Sequence, residues 1–158
     1  MKYTIIIGRN ERLEITNVVS NIPAKVDTGA YRSAIHASSI KESTDGKEKI
    51  LKFELLGHPV SPIKYPMEVD EYEVVTVTNS FGKEEKRFEV KLRVKIGPKI
   101  FNTSFTLADR SNNFFPVLIG RKCLKGRFLV DVTKNSVDRM KLRSDYNIKA
   151  SIDEEDLE

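Results

Sequence analysis

Along most of this chain apolar and polar residues alternate with a period of two, the spacing that turns one face of a β-strand inwards and the other outwards. The clearest case is Arg87–Ile96, where Phe88, Val90, Leu92, Val94 and Ile96 share a face. Val, Ile, Thr, Phe and Tyr fill the apolar positions, as strands prefer. The pattern predicts strands over Tyr3–Ile7, Leu13–Val19, Ile22–Asp27, Ile50–Leu56, Tyr72–Thr78, Arg87–Ile96, Ile100–Leu107, Val117–Ile119 and Phe128–Val132. Ser80–Lys83, around Gly82, and Gly97-Pro98 mark turns, so the strands flanking Gly97 form a hairpin. Helical periodicity is scarce. One short helix is expected over Arg121–Lys125, stopped by Gly126. Lys41–Lys49 and Gly57–Pro66 read as mobile loops, and Asp153–Glu158 as a solvated acidic end. The expectation is an all-β protein with a single domain over residues 1–150 and an acidic, disordered tail over residues 151–158.

Composition narrows the possibilities. At 158 residues and 18.0 kDa the chain has the length of one domain. Hydrophobic residues at 39% and charged residues at 32% fit a wet surface around a real core. No apolar run approaches the roughly 18 residues of a membrane span, and the opening segment lacks a secretory apolar core. Cys123 is the one cysteine, so no internal disulfide forms; a reducing, cytoplasmic setting is expected. The net charge of +4 is a mild excess. Lys91, Arg93 and Lys95 alternate on one strand face and read as a solvated face. No aromatic stacking set accompanies them, so nucleic acid is not the expected partner.

Several chemistries lack their motifs: there is no H-E-x-x-H, P-loop, C-x-x-C or G-x-S-x-G. What stands out is Asp27-Thr28-Gly29-Ala30, directly after the apolar run Ile22–Val26. An acid on a tight turn at a strand end is aimed out of the sheet. The tripeptide alone arises by chance in roughly one chain in twenty of this length, and it also fits a strand-to-turn corner. Far downstream comes Val117-Leu118-Ile119-Gly120-Arg121 and the short helix. D-T-G-A followed by two apolar residues, Gly, Arg and a helix resembles the retropepsin-like aspartic proteases. In that fold the second segment passes beside the catalytic loop and supports it.

The resemblance is closer still to a bacterial family known both as ATP-dependent zinc proteases and as retropepsin-like aspartic endopeptidases. Three blocks carry it. The first is Ala24-Lys25-Val26-Asp27-Thr28-Gly29-Ala30 with Ser33-Ala34-Ile35-His36-Ala37. The second is Val77 to Arg87. The third runs from Leu107-Ala108-Asp109-Arg110-Ser111 through Pro116–Arg121 to Phe128–Asp131. The family usually places Arg-Thr after D-T-G-A, where this chain has Tyr31-Arg32. Its hairpin usually reads Ser-Asn-Gly, where this chain has Asn79-Ser80-Phe81-Gly82, and Asn113 stands where Met is common.

The resemblance implies a closed retropepsin-like β-barrel with one short helix after Ile119-Gly120-Arg121. It implies Asp27 as the catalytic carboxylate, with Thr28, Gly29, Ala30, Ile119, Gly120 and Arg121 supporting its loop. Tyr31, Arg32, Asn79, Ser80, Phe81 and Gly82 are substrate or flap candidates, and the loop around Tyr65 is a second flap candidate. An aspartic protease needs two carboxylates, and this chain has one D-T-G. The implied partner is therefore a second copy in a twofold homodimer. The implied substrate is a peptide or protein, glutamate-rich tails among the possibilities, since some relatives are associated with a ligase that adds glutamates to a ribosomal protein. No cofactor is expected. The alternatives are a zinc-dependent peptidase with His36 as a ligand, and a peptide-binding module that keeps the fold without catalysis. His36 otherwise reads as a structural histidine, His58 as a loop residue and Cys123 as a small buried hydrophobe. Arg110 and Arg121 read as braces for loops or the dimer.

Ala30 generates one prediction. A serine there could donate a hydrogen bond to the carboxylate and lower its pKa, whereas alanine cannot. Activity is expected nearer neutral pH than for acid proteases, and a pH–rate profile peaking below pH 4 would refute this.

Overall fold

The computed structural model describes residues 4–79 and 81–148. Strands dominate, as the period-two pattern requires: β1 (Ile5–Ile7), β2 (Asn10–Ile15), β3 (Val19–Val26), β4 (Ser33–Asp45), β5 (Glu48–His58), β6 (Ser61–Val69), β7 (Tyr72–Thr78), β8 (Glu84–Ile96), β9 (Lys99–Ala108), β10 (Val117–Ile119) and β11 (Phe128–Val130). Among the described residues two helices, α1 (Arg121–Leu124) and α2 (Arg139–Asp145), follow β10 and β11 respectively.

Six strands close on themselves in the order β10, β3, β2, β8, β9, β4. The short β10 is the closing stave. It runs parallel to β3, with Val117 opposite Ala24, and antiparallel to β4, with Val117 opposite Ile35. All-β character and a closed retropepsin-like barrel are therefore present as expected. The inward faces carry Leu13, Ile22, Ile35, Val94, Ile96, Phe105 and Ile119, all buried. Closure leaves no open edge within the ring. Strands β5 and β6 continue outwards from β4, β7 flanks β8, and β1 pairs in parallel with β11.

Four local expectations need correction. Lys41–Lys49 is the end of a β4–β5 hairpin, with Lys41 opposite Lys52 and Asp45 opposite Glu48. Its strands are polar because that arm stands clear of the core. Gly57–Pro66 contains the β5–β6 turn and most of β6; Pro62 and Pro66 are tolerated because, among the described residues, β6 pairs only with β5. Leu13–Val19 is two strands, since Asn17 adopts a left-handed φ of 64° and folds the chain back. Finally, α1 is not the single helix. α2 carries little periodicity, but Asp138 caps it by accepting from Lys141 N–H at 3.1 Å, and Leu142 anchors it in a small cluster with Val60, Phe114, Phe115 and Val137. The predicted strand residue Tyr3, Ser80 and the acidic stretch 151–158 lie outside the described residues.

Between β10 and α1 the chain crosses the turn after Asp27 with almost no clearance. A Cβ on Gly120 would sit 2.6 Å from the Arg32 carbonyl oxygen and 2.8 Å from that of Tyr31. Both neighbours are backbone and cannot swing aside. Gly120→Ala is therefore expected to reduce stability by about 1–3 kcal/mol. Urea or thermal unfolding checks this, at roughly 2–4 °C of Tm per kcal/mol for a chain of this size. An unchanged Tm would sink the close-packing account.

Candidate active site

Asp27 follows the last residue of β3 and lies half-buried on the wall of a cleft of about 620 Å³. Its backbone is tied to β10, where Asp27 N–H donates to Ile119 O at 2.9 Å. The following turn closes on its own acid: Gly29 N–H donates to Asp27 Oδ1 at 2.9 Å, and Ala30 N–H to Asp27 O at 3.3 Å. Arg121 N–H then donates to Ala30 O at 2.8 Å and Lys122 N–H to Tyr31 O at 2.9 Å. Arg121 Nη1 also holds Thr28 O at 3.0 Å. Gly120 N–H donates to the buried Ser33 Oγ at 3.0 Å. The two blocks singled out in the sequence thus form one hydrogen-bonded unit. Ser33 belongs to it as well. Its place in the first resemblance block gave no sign of this role.

The cleft brings together Asp27, Ala30, Tyr31 and Arg32 with the β7–β8 hairpin, through Thr76–Asn79 and Arg87, and with the 109–113 loop. Asn79 shapes the hairpin end: its Oδ1 accepts from Phe81 N–H at 2.9 Å and Lys83 N–H at 3.1 Å. Phe81 and Gly82 are exposed and do not line the cleft. Tyr65 lies elsewhere, beside the β2–β3 turn. Thr28, which is exposed, borders a second depression of about 690 Å³ with Arg121, Leu124, Phe128 and Leu129. Tyr31 stands between the two, 54% exposed, with the Arg32 and Arg121 guanidinium carbons 5.7 and 5.9 Å from its ring centre.

Three arginines and two aspartates line the cleft. Arg32 Nη1 lies 2.6 Å from Glu89 Oε2, Arg87 pairs with Glu85, and Arg110 Nε donates to Phe115 O at 2.9 Å. Asp109 Oδ1 accepts from Ser111 N–H and Oγ–H at 3.0 and 2.6 Å, which lowers its carboxyl pKa.

Two buried histidines fasten the 109–113 loop. His58 is not a loop residue: it ends β5 after a turn with Leu56 and Gly57 both at positive φ, which swings its ring inwards. Its Nδ1 accepts from Val60 N–H at 3.1 Å, so Nε2 carries the proton. Nε2 faces Asn113 O at 2.8 Å and Arg110 O at 2.9 Å. His36 Nδ1 accepts from Arg110 N–H at 2.8 Å, and the two rings meet edge to face at 5.4 Å. Burial lowers both pKa values, that of His58 to about 4. Around His36, Asp109 opposes the shift while Arg110 and Lys64 reinforce it.

Among the described residues no three His, Cys, Asp or Glu side chains converge as a metal site requires. His36 Nδ1 accepts from Arg110 N–H, which puts the ring proton on Nε2 and leaves neither nitrogen with a lone pair to offer zinc in this arrangement. Cys123 is buried, and burial pushes its thiol pKa up. Among the described residues no helix is long and apolar enough to cross a membrane.

A closed six-strand barrel whose β3 ends in a D-T-G loop braced by an Ile-Gly-Arg segment defines a retropepsin-like protein. The chain belongs to the RimB-like family, retropepsin-like aspartic endopeptidase RimB, whose model matches residues 6–141. The barrel resembles the crystal structure of a Legionella pneumophila protein of unknown function, with a TM-score of 0.69 and 25% identity, covering 84% of this chain and 97% of that one. Among curated proteins it is 28% identical over 137 residues to a probable alpha-L-glutamate ligase of Desulfotalea psychrophila, covering 80% of this chain and 28% of that protein. A probable alpha-L-glutamate ligase of Shewanella pealeana is 30% identical over 120 residues, covering 74% and 26%. The chain thus spans only about a quarter of the length of these relatives.

The histidine clamp predicts acid sensitivity. A histidine with a lowered folded pKa binds its proton more readily when unfolded, so its contribution to stability is whole above the unfolded value of 6.5. That contribution is lost as pH falls towards about 4, and for His58 it amounts to about 3 kcal/mol. Urea unfolding between pH 7.5 and 4.5 is expected to show the loss, and His58→Gln to lessen its slope while lowering stability at pH 7.5. Parallel pH profiles for wild type and variant would overturn the assignment.

Proposed function

We propose that this chain is an aspartic peptidase whose carboxylate pair is Asp27 from each of two copies. The observation that carries the reading is the Asp27 loop itself: a half-buried carboxylate in a cleft, one oxygen tied to Gly29 N–H, its backbone bound to Ile119. Two such acids about 3 Å apart cannot both ionise, so they share one proton. The ionised member takes a proton from water, and the protonated member donates a hydrogen bond to the scissile carbonyl. The apparent pKa values belong to the pair. Beside the loop, exposed Thr28, Tyr31 and Leu129 border the depression against which a second copy would pack. The β7–β8 hairpin is the flap in this reading, because Thr76–Asn79 face Asp27 across the cleft.

Glutamate-rich tails are the proposed substrate class. Arg32, Arg87 and Arg110 in the cleft suit acidic side chains. The ligase names of the longer relatives associate a stretch like this one with glutamate chemistry. Those names also favour a second reading, a non-catalytic module that holds a glutamate tail for a ligase.

One experiment separates the readings. Wild type and Asp27→Asn are incubated with a peptide library that includes oligoglutamate, with and without chelator, while oligomeric mass is recorded. The dyad predicts cleavage by a dimer, insensitivity to chelator and a loss of at least about 10³-fold in Asp27→Asn, on the scale of a lost catalytic acid–base group. Binding of oligoglutamate without cleavage by either protein would favour the module, and activity in a strict monomer would sink the shared pair.

A further inference from the structure

Glu89 is a carboxylate that neither the motifs nor the proposed chemistry uses. It lies on β8 and is 5% exposed. Two cations meet it, one on each oxygen: Arg32 Nη1 at 2.6 Å from Oε2 and Lys122 Nζ at 3.4 Å from Oε1. These cations come from the two segments that build the Asp27 loop. Arg32 ends the turn that Asp27 begins, and Lys122 is the second residue of α1. The same segments are joined by the Arg121–Ala30 and Lys122–Tyr31 backbone bonds, and they cross with almost no clearance at Gly120. A buried carboxylate persists only where opposite charge and hydrogen bonds replace its water. Glu89 therefore holds both cations to the barrel wall, and their side chains are only 31% and 41% exposed.

The geometry points to Glu89 as a positioning residue that clamps Arg32 and Lys122 and so keeps the Asp27 turn in register with the β10–α1 segment. Arg32 also lines the Asp27 cleft, so the clamp fixes a cleft wall as well as the loop. The catalytic consequence rests on the peptidase reading; the clamp itself does not. Backbone bonds alone leave the crossing free to part when one short strand frays. An ion pair anchored in β8, 57 residues from Arg32 in sequence, adds a hold independent of β10.

The test uses the full chain. Glu89→Gln keeps the side-chain shape and removes the charge, and Glu89→Asp keeps the charge with a shorter reach. Amide hydrogen exchange by NMR is expected to show Arg121 and Lys122 N–H exchanging at least tenfold faster in Glu89→Gln, with Val94 and Phe101 unchanged and Glu89→Asp intermediate. Unchanged exchange, or equal acceleration throughout the barrel, would overturn the clamp. On a peptide that wild type cleaves, kcat should fall at least tenfold, and Glu89→Asp should restore part of it. Wild-type kcat alongside opened amides would overturn the positioning role. If wild type cleaves nothing, the peptidase reading falls and the exchange measurement still decides the clamp. Should Glu89→Gln fail to fold, Lys122→Gln removes one cation at an exposed position and is expected to speed the same two amides.

Discussion

The site depends on a backbone crossing. At Gly120 the chain leaving β10 passes over the carbonyls of Tyr31 and Arg32 at a distance that leaves no room for a side chain. That proximity lets Arg121 and Lys122 N–H reach Ala30 and Tyr31, and lets Arg121 reach back to Thr28. It also makes β10 the closing stave of the barrel, because a strand this close to the Asp27 turn can pair with β3 and β4 at once. Barrel closure and loop placement are thus one constraint. A substitution that widens the crossing is felt both in the sheet and at Asp27.

The opposite wall of the cleft uses a different chemistry. There the 109–113 loop has few strand bonds to hold it, so buried imidazoles supply them. His58 donates to two of its carbonyls and His36 accepts from one of its amides. Neutral imidazole is suited to this because it offers a donor and an acceptor without the desolvation cost of a charge. His36 sits in the family-like Ser33–Ala37 block, which makes it look like a metal ligand when read alone. In place, its Nδ1 accepts a hydrogen bond from Arg110 N–H, and the ring packs against His58.

What the residues alone disclosed follows from where packing is one-sided. β10 matches its predicted span, and β8 and β9 nearly so, because alternate residues face the core; β7 matches its span through its β-branched residues, although none of them is buried. The outer part of β4, the start of β5 and β6 stand away from the ring, so a polar strand there looks like a loop. The break at Asn17 depends on a left-handed residue inside an apolar run, which periodicity does not register. The Asp27 and Gly120 blocks were legible because a tight turn and a close crossing need particular small residues. The roles of Glu89, Ser33 and His58 were not. A polar residue on a strand carries no mark of burial until the partner strands are known.

The charges of the cleft show why burial matters more than number. Counted along the chain, the excess of basic residues is slight and says little about a partner. In the fold, Arg32 is held by a buried carboxylate and Arg87 by a neighbour on its own strand. A guanidinium has five N–H donors, and the bond to Glu89 engages one nitrogen of Arg32. An arginine already fixed loses little side-chain freedom when an acid arrives, so preorganisation can supply what net charge does not. The same anchoring limits the cleft's appetite for anions, since Glu89 and Asp27 both oppose a negative ligand nearby. On the proposed reading, selectivity for acidic side chains therefore depends on where each carboxylate falls relative to Arg32, Arg87 and Arg110. A general positive field would attract any polyanion; fixed arginines among carboxylates favour an acid chain of matching spacing.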